Sequence, residues 1–129
     1  MSEIKLTLLI LREAAGICKL PADEPIPLWA CQGEFFSITK TDEELSIVCA
    51  ERAIPDGAVC EKGWKLLKIQ GMLDFALVGI LANVSTALAK AGISIFAVST
   101  YNTDYILVKA ADLDRAAQKL REQGHEVMI

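Results

Sequence analysis

The chain has 129 residues, a formal net charge of −4 and 53% hydrophobic residues. This composition excludes a disordered chain, which combines low hydrophobicity with high net charge, and the length fits one domain or two very small ones. The acidic balance argues against binding to nucleic acid or to an anionic membrane, and no apolar run reaches the roughly 20 residues of a membrane helix. Because the first residues also lack a signal-peptide pattern, we expect a cytoplasmic protein with neither nucleic-acid nor membrane partners.

The first half of the chain repeats the strand pattern of the second half after a shift of sixty positions. With this shift Phe36 falls on Phe96 and Glu44 falls on Asp104, so that a strand, a hairpin and a return strand occur twice in one register. We therefore predict that the two hairpins superpose, with Glu44 as the counterpart of Asp104.

The helices of the second half have no good copy in the first half. Prolines at positions 21, 25 and 27 occupy the place of the first helix, and a helix interior rejects proline. The turn sequence Ile54–Gly57 occupies the place of the second helix. We predict two units: residues 1–62 form a degenerate copy of residues 63–129, and Glu61–Gly63 joins them.

Residues 63–129 predict a strand–helix–strand–strand–helix–strand order, which is the ferredoxin-like α+β fold. Apolar residues at steps of three and four mark one face of each helix, and a glycine follows each helix. The predicted strands are Trp64–Ile69, Ile93–Ser99, Tyr105–Lys109 and His125–Met128, and the helices begin near Ile80 and Asp112. The apolar composition of Ile93–Ser99 predicts a central place in the sheet.

Few residues are suited to catalysis or metal binding. The four cysteines, Cys18, Cys31, Cys49 and Cys60, form no CxxC pair, and His125 is the single histidine. A zinc site would need an unusual spacing, and a hydrolase triad is hard to build around one histidine so close to the C-terminus. We expect the cysteines to be small hydrophobic residues. No phosphate-binding glycine loop is present either, so we expect no metal, no cofactor and no enzymatic activity.

Several segments of the second half resemble the ACT domain, a regulatory amino-acid-binding module. Gly79–Val84 and Ala91–Ile95 are similar to the first helix and second strand of that family. Ser99–Val108 is more specific and resembles the tandem-ACT group that includes the cytosolic arginine sensor of animals and uncharacterised bacterial proteins, and Phe35–Thr39 resembles the first ACT unit of that group. The Pro-Gly that often opens the ACT helix is Val78-Gly79 here, so only the glycine carries over.

The resemblance implies two ACT units in tandem that bind a free amino acid between units. Carried over by position, Gly79 and Ile80 lie in the loop-to-helix part of the site, and Thr100, Tyr101 and Asp104 lie in its hairpin part. The chemistry suits a zwitterion: a helix N-terminus offers free N–H groups to a carboxylate, and an aspartate suits an ammonium or guanidinium group.

Each of these residues also has a purely structural interpretation. Gly79 suits close packing between the helix and the sheet, and Asp104 suits its own turn. Thr100 and Tyr101 are ordinary turn and strand residues. Asp74, before the helix, is either its N-cap or a second ligand contact.

Two functions follow from the resemblance. In the first, the protein is an amino-acid sensor that acts on an unidentified protein effector. In the second, the fold has lost its ligand and serves as a dimerisation or interaction module. The acid Glu44, placed like Asp104 by the repeat, favours duplicated recognition. Both functions predict a homodimer, because short tandem units leave sheet edges that a second copy covers.

Overall fold

The computed structural model describes residues 5–70 and 79–129. The strands in these residues are β1 (Thr7–Ile10), β2 (Ala15–Leu20), β3 (Ser37–Lys40), β4 (Leu45–Ala50), β5 (Cys60–Ile69), β6 (Ile95–Ser99), β7 (Asp104–Lys109) and β8 (Glu126–Met128). The α-helices are α1 (Ile80–Lys90) and α2 (Leu113–Glu122), and short 3₁₀ segments cover Leu28–Cys31, Glu51–Ala53 and Ala110–Asp112. The predicted order of the second half is confirmed in β5, α1, β6, β7, α2 and β8.

The chain divides into two compact units that differ from the predicted ranges. The N-terminal unit is Glu13–Trp64, and the C-terminal unit combines Met1–Arg12 with Lys65–Ile129. The first strand was expected in the N-terminal copy but belongs with the C-terminal residues. The reason is its pairing: Leu8 lies opposite Ile69 of β5 in an antiparallel ladder and opposite Val127 of β8 in a parallel one.

The C-terminal unit has the ferredoxin-like α+β fold with one additional strand. Its strand order is β6-β7-β5-β1-β8, so β1 separates the first and last strands of the β-α-β-β-α-β sequence. Helix α1 buries Ile80, Val84 and Leu88, and α2 buries Ala116, Ala117 and Leu120. These residues share one core with apolar residues of β1, β5, β7 and β8. The 3.6-residue period therefore identified the buried faces of both helices correctly.

Strand β6 is an edge strand, and the prediction of a central place was wrong. Among the described strands it pairs only with β7, and none of its five residues is buried. The buried strand of this hairpin is β7, where Ile106, Leu107 and Val108 are fully covered. Ile93, which lies before the strand, is the buried residue of the segment Ile93–Ser99, with 4% exposure.

The N-terminal unit keeps the hairpin and lacks both helices. Its antiparallel strand order is β3-β4-β2-β5, and no α-helix occurs in residues 13–64. The 3₁₀ segments Leu28–Cys31 and Glu51–Ala53 stand near the expected places of the helices. Its core includes Cys18, Ile47 and Cys49. The predicted degenerate copy is confirmed, because prolines and turn residues prevent a helix but leave the strand pairing intact.

The expected junction at Glu61–Gly63 is part of strand β5 and is no linker. Ala15 lies opposite Trp64 and Ile17 lies opposite Glu61, so β5 carries one extra residue here, a β-bulge. The N–H of Gly63 donates to Glu51 Oε1 at 2.6 Å. The polar, glycine-containing sequence that suggested a linker therefore marks a bulge within a strand.

Candidate functional site

The start of helix α1 has no side-chain cap among the described residues. Gly79 is its N-cap residue with φ +82°, and the N–H of Asn83 donates to the Gly79 carbonyl at 2.8 Å. Among the residues that the structure describes, no side chain caps this end, and the first turn of the helix contains no acidic residue. The first N–H groups of an α-helix have no acceptor within the helix, and they lie at the positive end of the helix dipole.

Gly79 is required by its backbone conformation rather than by packing. A Cβ atom built at Gly79 meets no atom of the described residues within 4 Å, which argues against the close helix–sheet packing considered for it. Its positive φ is the region that favours glycine. Ile80 is 7% exposed and belongs to the core, so its side chain serves packing and only its backbone N–H is available to a ligand.

The tip of the β6–β7 hairpin holds the other predicted residues. Ser99 Oγ donates to Asp104 Oδ1 at 2.5 Å. Thr100 Oγ1 donates to the Thr103 carbonyl at 3.0 Å, and Thr103 N–H donates back to Thr100 Oγ1 at 3.3 Å. Tyr101 is 81% exposed at the tip. Asp104 thus has a local hydrogen-bond partner, as its structural interpretation requires. Its carboxylate is half-buried at the start of β7.

Thr103 fixes this tip against the end of β5. Its hydroxyl donates to the Ile69 carbonyl at 2.7 Å, and the residue is 5% exposed. Ile69 is the last residue of β5, so the hairpin tip lies beside the end of that strand. Sequence reasoning treated Thr103 only as turn chemistry. The signal it missed is a β-branched residue at the last position before a buried strand.

The structure groups the predicted residues in two sets. Thr100, Tyr101 and Asp104 share the hairpin tip, and Gly79 and Ile80 share the start of α1. Asp74 and Val78, which figured in the helix-start predictions, lie outside the described residues.

The two hairpins match at a shift of 59 positions, one fewer than the sequence repeat. Lys40 lies opposite Leu45 in the first hairpin, and Ser99 lies opposite Asp104 in the second. The position that corresponds to Asp104 is therefore Leu45. Since a shift of one residue moves a side chain to the other face of a strand, the predicted pairing of Glu44 with Asp104 is wrong.

The turns themselves give the same register. Thr41 N–H donates to the Glu44 carbonyl at 2.9 Å, and Thr100 N–H donates to the Thr103 carbonyl at 2.8 Å. In each turn the threonine Oγ1 also accepts the N–H of the fourth residue, at 3.2 Å from Glu44 and 3.3 Å from Thr103. Glu44 is thus the counterpart of Thr103.

His125 is a structural residue of the C-terminal unit. Its Nδ1 accepts the N–H of Leu6 at 3.0 Å, and its Nε2 lies 2.8 Å from Asn83 Oδ1. This pattern fits the neutral tautomer that carries the proton on Nε2. Burial lowers the pKa of His125 below its usual value. The histidine therefore links β1, α1 and the segment before β8 rather than serving as a catalytic base.

The cysteines differ in exposure, which the sequence-based prediction did not foresee. Cys18 and Cys49 are buried, Cys60 is half-buried and Cys31 is exposed. Within residues 5–70 and 79–129, no cluster of three or more histidine, cysteine or acidic side chains is arranged to hold a metal ion. No helix in the same residues is long and apolar enough to cross a membrane.

Two family models match the two units. The model described as ACT domain matches residues 59–122. A second model, which describes an N-terminal domain, matches residues 13–57. Their ranges follow the two compact units closely, apart from the first strand.

Similar proteins are found both among solved structures and among curated sequences. The crystal structure of protein Atu0741 from Agrobacterium tumefaciens is 42% identical, covers 98% of this chain and 95% of that one, and superposes with a TM-score of 0.93. The human protein CASTOR3P is 31% identical in an alignment of 93 positions that covers 62% of this chain. The match spans 57% of the length of that human protein.

A third similarity concerns the fold alone. The regulatory subunit of aspartate kinase from Thermus thermophilus is 11% identical, covers 89% of this chain and 95% of that one, and has a TM-score of 0.66. The strand order, the two helices and the family match agree with one another. The chain belongs to the ACT-domain family, as a tandem protein with a helix-containing C-terminal unit and a degenerate, helix-free N-terminal unit.

Proposed function

We propose that this protein is a non-catalytic regulator that binds a free α-amino acid. The observation that carries the proposal is that the C-terminal unit presents two complementary groups: the N-terminus of α1, which has no side-chain cap among the described residues, and the hairpin carboxylate of Asp104. A helix N-terminus supplies N–H donors and positive potential, and a carboxylate supplies negative charge. Together they match the two charges of a zwitterion.

The ligand carboxylate meets the backbone N–H groups at Gly79 and Ile80. Within the part of the chain that the structure describes, these donors have no side-chain cap, and the first turn of the helix has no acidic residue that would compete with an anionic ligand. The positive φ of Gly79 turns the backbone at this point, and no atom fills the space where its side chain would be. A ligand can therefore approach the backbone closely.

The ligand's cationic group meets Asp104. Ser99 donates to one oxygen of this carboxylate, which orients it and leaves acceptor positions for an ammonium or guanidinium group. Tyr101, exposed beside it, covers the aliphatic or cationic part of the ligand, and Thr100 shapes the turn that carries Tyr101.

The helix start and the hairpin that hold one ligand belong to two copies of the chain. The N-terminal hairpin has Leu45, a fully buried apolar residue, at the position of Asp104. It therefore offers no equivalent carboxylate, and a second C-terminal unit must come from a second molecule. The homodimer that this requires also covers the edge strand β6. An unidentified protein effector binds preferentially to one of the two forms of the homodimer, with or without the amino acid.

A second candidate function is a dimerisation or interaction module without a ligand. The observation that favours it is the Ser99–Asp104 hydrogen bond, which gives the carboxylate a structural role within its own hairpin. In this alternative the protein is still a homodimer but has no amino-acid-binding site. The two functions are separated by a direct search for an amino-acid ligand.

The test begins with a thermal-shift screen of the 20 common amino acids and continues with calorimetric titration of each amino acid that raises the melting temperature. Replacing Asp104 by Ala removes a charge-assisted hydrogen bond of about 1.5–3 kcal/mol, so affinity falls roughly 10- to 150-fold. Glu44→Ala is the control, because it removes an acidic side chain from the turn of the N-terminal hairpin, outside the proposed site; it leaves affinity unchanged. Equal affinity of wild type and Asp104→Ala removes Asp104 from the site, and a screen in which no amino acid binds favours the interaction module.

A further inference from the structure

Beyond the binding function, we propose that Cys18 and Cys60 form a redox-responsive site, in which a hydroperoxide oxidises Cys60 and the two residues then join in a disulfide across strands β2 and β5. The proposal is independent of amino-acid binding, because both cysteines lie in the N-terminal unit. No sequence motif predicts this site, because the two residues are far apart in the chain and form no CxxC pair.

The strand register places the two cysteines directly opposite one another. Cys18 of β2 pairs with Cys60 of β5 in an antiparallel ladder, so both side chains lie on the same face of the sheet. Cys18 belongs to the core of the N-terminal unit, and Cys60 packs against that same core. The bulge in β5 lies beyond this pair, between the partners of Ala15 and Ile17, and leaves its register intact.

The hydrogen bonds of the ladder make this pair the close type. Lys19 N–H donates to the Val59 carbonyl at 3.0 Å, so the adjacent pair is a hydrogen-bonded one. Hydrogen-bonded and non-hydrogen-bonded pairs alternate along an antiparallel ladder, which makes Cys18 and Cys60 a non-hydrogen-bonded pair. The Cα atoms of such pairs are about 4.5 Å apart, within the roughly 4.4–6.8 Å that a disulfide spans.

The two sulfur atoms have different access to oxidants. Cys60 is half-buried, whereas Cys18 is only 2% exposed. Burial raises the pKa of Cys18 to about 12, and the neighbouring Cys49 and Cys60 thiols contribute in the same direction. Cys60 is therefore the sulfur that an oxidant reaches first, and Cys18 is the partner that completes the bond.

The chemistry balances with one hydroperoxide per disulfide. The Cys60 sulfur attacks the terminal peroxide oxygen, the O–O bond breaks, and the products are a Cys60 sulfenic acid and an alcohol, or water from hydrogen peroxide. The Cys18 thiolate then attacks the Cys60 sulfur, the S–O bond breaks, and the hydroxide leaves as water with the Cys18 proton. Two electrons pass from the two thiols to the peroxide. Because the thiolate is the nucleophile, the high pKa of Cys18 makes this second step faster as pH rises.

Peptide mapping tests the proposal on the full-length wild-type protein. Trypsin cuts after Arg12, Lys19, Lys40, Arg52 and Lys62, so each of the four cysteines lies in a separate peptide. After hydrogen peroxide treatment, alkylation of free thiols in denaturant and digestion, peptides 13–19 and 53–62 should appear as one linked species, two hydrogens lighter than their sum. Dithiothreitol should separate them. If the yield of the alkylated 13–19 peptide does not fall at any peroxide dose, Cys18 is not oxidised and the proposal is overturned.

Variants identify the bond and exclude the other cysteines. In a Cys31→Ser protein, which lacks the exposed thiol, three free thiols should fall to one on oxidation. Adding Cys60→Ser should abolish the loss of the Cys18 thiol, whereas adding Cys49→Ala should leave the linked peptide in place. A species linking Cys18 to Cys49 would contradict the register argument. The linkage should form faster at pH 9 than at pH 7, and an equal rate would exclude Cys18 as the attacking thiol.

Discussion

The hairpins at residues 37–50 and 95–109 are built on the same threonine turn and present different side chains next to it. Thr41 and Thr100 close their turns with the same backbone and hydroxyl hydrogen bonds. The next strand then begins with Leu45 in one unit and Asp104 in the other. Leu45 is fully buried, whereas Asp104 is half-buried and hydrogen-bonded to Ser99.

This difference separates the scaffold from the site. A turn is specified by a few local residues, so a duplicated turn persists while its surroundings change. The side chain beside the turn depends on the tertiary environment. This environment is an apolar core at Leu45 in the N-terminal unit and a partly exposed hairpin tip at Asp104 in the C-terminal unit. Four predictions test the comparison, from the largest expected effect to the smallest.

Truncation of the structural counterparts Leu45 and Asp104 should affect stability to very different extents. Leu45→Ala removes a buried side chain and should lower the free energy of unfolding by about 2–5 kcal/mol. Asp104→Ala should change it by less than about 1 kcal/mol, because only one partly exposed hydrogen bond is lost. Urea denaturation of both variants measures the difference. Similar losses would contradict the 59-residue register.

Two glycines with positive φ, one from each unit, should differ in the same way. Gly33→Ala combines an unfavourable φ of +104° with a Cβ placed 2.8 Å from the Ala50 Cβ. We expect it to cost about 2–4 kcal/mol of unfolding free energy. Gly79→Ala meets open space and should cost only the backbone term, about 1–2 kcal/mol. Equal costs in thermal or urea unfolding would mean that the packing around Gly33 adapts freely.

Thr103 and Glu44 occupy the same turn position, and only Thr103 has a buried partner. Thr103→Val removes the hydroxyl that donates to the Ile69 carbonyl and should destabilise the protein by about 1–2 kcal/mol. Glu44→Ala should be neutral within about 0.5 kcal/mol, since its turn uses the Glu44 backbone. Hydrogen exchange at the β6–β7 hairpin should also increase for Thr103→Val. Unchanged exchange there would show that Thr103 does not hold the tip.

Acid should weaken the C-terminal unit at higher pH than the N-terminal unit. The pKa of His125 is lowered by burial, so its contribution to stability is complete above about pH 6.5 and declines as pH falls from there toward the folded-state value. In the N-terminal unit, a hydrogen bond from Arg52 holds the pKa of Glu13 below its usual value, so that contribution is lost only below about pH 4.5.

Replacing His125 by Gln provides the control for this pH effect. Glutamine keeps a donor and an acceptor but does not titrate in this range. The urea midpoint of the wild type should fall between pH 7.5 and 5.5, and that of His125→Gln should fall less. Parallel declines would assign the effect to other groups.

Much of the fold was predictable because it is locally encoded. The apolar period of α1 and α2, the glycines that follow them and the four-residue turns each depend on residues close in sequence. The prolines at positions 21, 25 and 27 excluded a helix for the same local reason. The position at which α1 begins was likewise predictable from Gly79 and the apolar residues that follow it.

The tertiary structure decided which strands pair, and in which register. Pairing of β1 with β5 and β8, the edge position of β6 and the apposition of Cys18 and Cys60 all join residues distant in sequence. No local pattern encodes them, because a strand's side-chain alternation is compatible with several neighbours and its register is set by the core that it must cover. The amino-acid sequence by itself determined the ACT elements and the positions of their turns. Packing determined that Leu45 is buried, that Asp104 is half-buried at the hairpin tip and that Thr103 anchors the hairpin beside it.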